Sequence, residues 1–181
     1  AASYPIDAGP ATVQQFANTI AISTTSLTPA GGALPGAVNV PVLRLSLATN
    51  RSDAKWLKLK LDRTGASSDA DVSAVKVYYD VNGAGVFDPG NLGQYLLVTP
   101  STLTFGSQGA AGSVELAFNS PQTLSVSSRT YFVVLDVSAA AVPAHGVVVG
   151  VLDGGYLTMS VPNAAAAITF NGLFDYWKSG T

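Results

Sequence analysis

The chain of 181 residues contains no cysteine. Disulfides, thiolate nucleophiles and cysteine-ligated zinc or iron–sulfur centres are excluded with it, although secretion is not. Charge is scarce too: 11% of residues are charged, against a usual share of roughly a quarter. Serine, threonine, asparagine and glutamine must therefore supply much of the wet surface, a composition that suits extracellular fibres and surface modules. The net charge is −2 and no basic run occurs, so the clustered cations of a nucleic-acid footprint are missing. The densest basic stretch, Lys55 to Arg63, alternates Lys with Leu as the wet face of a strand does. No apolar run approaches the roughly 20 residues that span a bilayer as a helix; the longest, Val147–Leu152, is strand-length. The first residue is Ala1 rather than Met, which fits a segment of a longer chain or one whose signal peptide has been removed.

Reaction chemistry is equally thin. His145, the single histidine, sits in Pro143-Ala144-His145-Gly146 and reads as a solvent-facing loop residue. A Ser-His-Asp triad needs a nucleophile and an orienting acid converging on it, and no GxSxG elbow is present. The 11 acidic residues fall mainly in turns, which gives no support to a glycosidase carboxylate pair. The expectation is a protein that is not an enzyme and has no resident cofactor beyond a weak calcium ion at most.

What the sequence does have is period-2 alternation, the signature of half-buried strands. Val40–Ala48 turns Leu43, Leu45 and Leu47 inward. Trp56–Asp62 turns Leu57, Leu59 and Leu61 inward, which by parity points Trp56 outward. Ser73–Asp80 places Val75, Val77 and Tyr79 on one face and Ala74, Lys76, Tyr78 and Asp80 on the other. Further short runs follow at Gln94–Val98, Thr102–Phe105 and Ser113–Phe118, where Val114, Leu116 and Phe118 face in. Thr130–Val137 is apolar on both faces, as a strand covered from both sides is; Val133 and Leu135 belong to the expected core. Asp153-Gly154-Gly155 separates Gly146–Leu152 from Tyr156–Val161 and predicts a hairpin. Strands of about six residues between turn-rich segments, with no sustained helical period, predict an all-β sandwich. No repeat of 20–50 residues occurs, which excludes a solenoid or propeller.

The loop after the third clear strand, Asp80–Asn91 (DVNGAGVFDPGN), is dense in Asp, Asn and Gly. It aligns with a D-x-N-x-[DN]-G calcium loop: Asp80 and Asn82 as first ligands, Gly85 at the sharp turn, the Val86 carbonyl, and Asp88. Ala84 stands where a third Asp or Asn is wanted and Asn91 where a bidentate acid closes such loops, so a bound calcium would be weak, roughly millimolar. The other reading is a pair of turns closed by side-chain-to-backbone hydrogen bonds.

Several landmarks, taken in order, resemble a known family. They are Val40-Pro41-Val42-Leu43-Arg44-Leu45, the Trp56–Arg63 strand with Thr64-Gly65, Asp71-Val72-Ser73-Ala74-Val75-Lys76-Val77-Tyr78, the Asp80–Asp88 loop, and Thr130–Ser138. Over about Thr25 to Val161 the chain is similar to the immunoglobulin-like repeat, roughly 100 residues long, of large bacterial and archaeal surface and secreted proteins. The resemblance implies an antiparallel sandwich, an extracellular or cell-surface location and a structural or display role, and it implies no catalytic residues.

The ends fall outside that resemblance. Residues 1–18 read as an extended arm holding Pro5 and Pro10, with a possible helical turn at Val13–Ala17; 19–163 as the sandwich; 164–181 as a final β run and an aromatic segment packing on the sandwich or on a neighbour. Ile6, Val13 and Phe16 in the arm and Phe174, Tyr176 and Trp177 in the tail are candidates for self-association, since large apolar groups are costly to leave in water. The expected function is a non-catalytic surface module or filament subunit assembling with like domains. The alternative is a carbohydrate-binding accessory module, in which Trp56 and Trp177 stack on a surface polysaccharide.

Overall fold

A computed structural model describes residues 16–27, 32–107, 111–165 and 177–178. Eleven strands follow along the described chain: β1 Thr19–Ser26, β2 Val40–Thr49, β3 Ala54–Thr64, β4 Val72–Asp80, β5 Tyr95–Leu97, β6 Ser113–Leu124, β7 Arg129–Val137, β8 Gly146–Gly150, β9 Leu157–Met159, β10 Ala164–Ala165 and β11 Trp177–Lys178. Helix is limited among the described residues to single 3-10 turns. The all-β class expected from the alternation therefore holds. The short run expected at Thr102–Phe105 is not a strand; the Leu103 carbonyl accepts the Val75 N–H at 2.7 Å, and Leu103 and Phe105 pack on the core.

Two sheets face each other. One has the order β10-β1-β2-β7-β4-β5, the other β11-β8-β3-β6, with β9 also paired to β3. Every pairing is antiparallel except β1 with β10. The pairs β2·β7, β3·β6 and β4·β5 nest inside one another, as in a double-sheet jelly roll. Two facing, largely antiparallel sheets bear out the coarser expectation of a β-sandwich.

The core is the sum of the inward faces. Leu43, Leu45 and Leu47 of β2, Val75 and Val77 of β4, and Tyr131, Val133 and Leu135 of β7 meet Leu59, Leu61, Val114 and Leu116 of the other sheet. Each such side chain, fully buried, contributes about 1.5–3 kcal/mol of transfer free energy.

Strand β3 does not keep the parity its sequence suggests. Its register against both β6 and β9 shifts between Trp56 and Lys58. On β6 the partner jumps from Gln122 to Ala117, and Pro121, which has no N–H to give a ladder, lies in the skipped segment. The bulge reverses the facing of the strand on either side of Leu57. Leu59 and Leu61 point in, and so do Ala54 and Trp56. Trp56 is 0% exposed and its indole Nε1 donates to the Lys58 carbonyl at 2.7 Å, across the bulge. Two expectations are corrected here: Trp56 is core and not outward, and Leu57 is only half-buried.

The hairpin expected at Asp153-Gly154-Gly155 is also corrected. β8 pairs with Asp62–Thr64 of β3 and β9 with Trp56–Leu59, so the two short strands lie end to end along one edge of β3. The Asp153 carboxylate caps a 3-10 turn by accepting the Gly155 N–H at 2.7 Å. The turn brings Tyr156 back so that its hydroxyl donates to Asp62.

Strand β7 is buried on both faces, as its composition predicts. Its outer face, with Phe132 and Val134, forms a second cluster with Tyr78, Phe87 and Tyr95. At the start of the sheet Asn18 is 4% exposed. Its side chain donates to the Asp53 carbonyl and to Asn163 and accepts from Ser52. Asn18, placed at the end of the expected arm, is thus tied into the sandwich.

Candidate functional site

The Asp80–Asn91 loop spends its oxygens on itself. Asp80 ends β4 and is 3% exposed. Its two carboxylate oxygens accept the Gly83 N–H at 3.2 Å and the Gly85 N–H at 2.7 Å. Asn82 accepts the Ala84 N–H at 2.9 Å, and its amide donates to Gln94. Asp88 accepts the Gly90 N–H at 2.9 Å, and the Val86 carbonyl accepts the Tyr95 hydroxyl at 2.7 Å. Gly83 and Gly85 both sit at positive φ, 70° and 71°, the left-handed region that turns the backbone N–H groups onto Asp80. All four candidate ligands thus carry hydrogen bonds from the loop or from Tyr95, the pattern of the turn reading. Among the described residues no three acidic or histidine side chains gather as a metal site.

The loop also has an underside. Phe87 stacks within 4.7 Å of Tyr95 and 5.4 Å of Phe132, ring centre to ring centre. Arg44, on the outer face of β2, donates to the Gly85 carbonyl at 2.9 Å and pins the loop from the other side. The segment acts as a cover on β7, which is why that strand is apolar on both faces.

The tryptophan platform does not assemble, because Trp56 lies in the core between Phe118 and Tyr131. Trp177 opens β11, with its backbone paired to Val147. Ile6, Val13, Phe174 and Tyr176 lie outside the described residues. Phe16 is described and is 68% exposed, with the Arg51 guanidinium 5.6 Å over its ring.

His145 is half-buried and bonded rather than solvent-facing: its Nδ1 lies 3.2 Å from an Asp71 carboxylate oxygen. Burial pushes the Asp71 carboxyl up, but the Ser68 and Val142 N–H groups, His145 and the Ser68 hydroxyl outweigh it and hold the carboxyl at about 2. Asp71 thereby ties the turn before β4 to the β7–β8 connection.

The sheet edges differ in protection. The edge of β4 beyond β5 is occupied by the following loop, through Val77 N–H to Thr99 and Val98 N–H to the Val77 carbonyl. The β6 edge carries Glu115, the bulge and Pro121, and gives its Ser113 carbonyl to Gly106. By contrast β10 covers only Thr19 and Ile20 of β1. From Ala21 to Thr25 the outer edge of β1 has no strand partner among the described residues. Its sequence, TIAISTTS, holds no charge and no proline, the usual devices that blunt an edge. The position of β1 in the sheet is set by its pairing with β2.

No protein-family model matches the chain, and no curated protein matches it.

Proposed function

We propose that the chain is a non-catalytic structural module of the cell surface or extracellular space, which assembles with like domains by strand addition at the β1 edge. The observation that carries this reading is the uncharged, proline-free run Ala21–Thr25, which has no strand partner on its outer side among the described residues. An extended segment laid along such an edge gains main-chain hydrogen bonds and pockets for alternate side chains. When the donor is another copy, the contact is head-to-tail, and such contacts grow a fibre unless the rotation closes. Exposed Phe16, three residues before β1, adds an apolar contact beside the edge. The scarcity of charge and the resemblance to surface repeats support the extracellular placement. Among the described residues no helix is long and apolar enough to cross a membrane.

Charging the edge tests the reading. Ala21→Lys with Ser23→Lys places two cations at exposed positions of β1. Light scattering and electron microscopy are expected to show oligomers or filaments of the wild type and a folded monomer of the variant. A wild type that stays monomeric at every concentration, or a variant that assembles equally well, overturns it. Deleting residues 1–15, which leaves Asn18 in place, then asks whether the donor strand comes from the arm.

A further inference from the structure

Three residues distant in sequence converge on the outer face of the larger sheet. Asn39 precedes β2, Lys76 lies in mid-β4 and Asp136 stands near the end of β7. Lys76 Nζ is 2.7 Å from Asp136 Oδ2 and 2.9 Å from Asn39 Oδ1. The other Asp136 oxygen accepts the Asn39 backbone N–H at 2.8 Å, and the Tyr78 hydroxyl donates to Asn39 Oδ1 at 3.3 Å. The side chains of Lys76 and Asp136 are only 10% and 17% exposed, beside the apolar cluster of Tyr78, Phe132 and Val134. Asn39 sits at φ 55°, in the left-handed region that Asn enters more readily than most residues with a Cβ.

Stability alone does not account for this group. Desolvating a buried ion pair cancels most of its attraction, and apolar residues of similar size serve as well or better. What the cluster does fix is geometry: Asn39, Lys76, Tyr78 and Asp136 hold one another in direct hydrogen-bond contact. An amine, a carboxamide and a carboxylate in mutual contact are the complete set of parts for amide exchange.

We propose that Lys76 and Asn39 become joined by an intramolecular amide bond, with Asp136 as the catalytic acid–base and the Tyr78 hydroxyl as donor to the carbonyl oxygen. A proton passes from the Lys76 ammonium to Asp136 across their 2.7 Å contact, leaving a neutral amine and a carboxylic acid. The amine lone pair attacks Asn39 Cγ, which lies one C=O bond, about 1.2 Å, behind the oxygen it already touches. The Tyr78 hydroxyl donates to the oxygen as it gains negative charge. Burial, and then the Asp136 charge, push the Tyr78 phenol up, so it keeps the proton it donates. Asp136 hands its proton to the departing nitrogen, the Cγ–Nδ2 bond breaks, and ammonia leaves. Asp136 then takes the extra proton from the new amide nitrogen. One C–N bond forms, one breaks, and no oxidant or outside reactant is needed.

The product clamps the start of β2 to β4 across β7, the strand between them, and closes a loop of 37 residues. A covalent tie across the sheet suits a subunit that bears load along a fibre, yet it stands or falls independently of assembly.

Intact mass of the purified, folded protein decides the proposal. The wild type is expected to weigh one ammonia less than its sequence. A tryptic digest should join the peptide ending at Arg44 to the peptide running from Thr64 to Arg129, with Lys76 uncut. Lys76→Met and Asp136→Ala should each restore the full mass. A succinimide at Asn82-Gly83 also loses ammonia, but it persists in Lys76→Met and is opened by hydroxylamine. A wild type of full mass, or the same loss in Lys76→Met, overturns the proposal. The wild-type mass and its joined peptide decide it even where a variant fails to fold.

Discussion

The indole of Trp56 meets the ring of Tyr131 edge to face across the two sheets, with centroids 5.2 Å apart and planes at 88°. One ring belongs to β3 and the other to β7, so this contact joins the middles of the two sheets. It exists because the bulge at Leu57 turns Trp56 inward. Phe118 completes the cluster at 4.5 Å.

Truncating this contact should be costly. Trp56→Ala is expected to destabilise the fold by about 3–5 kcal/mol through lost burial and a cavity. Leu57→Ala, at the half-buried bulge, should cost no more than about 1 kcal/mol. Urea denaturation of both variants is the check; a larger loss from Leu57→Ala would place the parity change elsewhere.

The loop over β7 should act without metal. We propose that Asp80 is a structural acceptor rather than a calcium ligand. Asp80→Ala should leave the Gly83 and Gly85 N–H groups without their acceptor and lower stability by about 1–3 kcal/mol in calcium-free buffer. Millimolar calcium should not raise the wild-type melting temperature. A calcium-dependent rise that disappears in Asp80→Ala would restore the ligand reading.

Acid should unfold the protein partly through Asp71. Its carboxyl is lowered from 3.8 to about 2, so the stability it contributes is fully present above pH 3.8 and is lost as pH falls through about 2. Asp69 shifts in the same direction: burial raises it, while the Gly112 N–H and Arg63 outweigh that effect. The loss from Asp71 is about 2 kcal/mol. Asp71→Asn should be less stable at neutral pH and show a shallower decline between pH 4 and 2. Equal slopes for the two proteins would remove Asp71 from the account.

Two glycines at positive φ should respond differently to alanine. At Gly65, φ 99°, an added Cβ would stand 2.5 Å from the Gly146 carbonyl oxygen, where β8 begins. At Gly83, φ 70°, nothing lies within 4 Å. Gly83→Ala should cost about 1–2 kcal/mol, the left-handed penalty alone. Gly65→Ala should cost more, because β3 and β8 must also move apart. Thermal melts rank the two, and equal costs would mean that the approach of Gly146 relaxes freely.

Strand identity was legible because it is local. Alternation in Val40–Ala48, Ser73–Asp80 and Thr130–Val137 places side chains on opposite faces whatever the strands later pair with. The same locality made β7 recognisable as doubly covered and the Asp80–Asn91 segment as a rigid polar loop. Parity fails where a distant strand imposes a bulge, as at Leu57, and Asp153-Gly154-Gly155 gives a turn without saying whether the strands beside it pair with each other or with a third. Sheet order, the place of β1 next to β2 and the meeting of Asn39, Lys76 and Asp136 were decided by tertiary structure alone. Each depends on which strands come together across intervals of tens of residues, and that choice is made by the summed burial of the core rather than by any one segment.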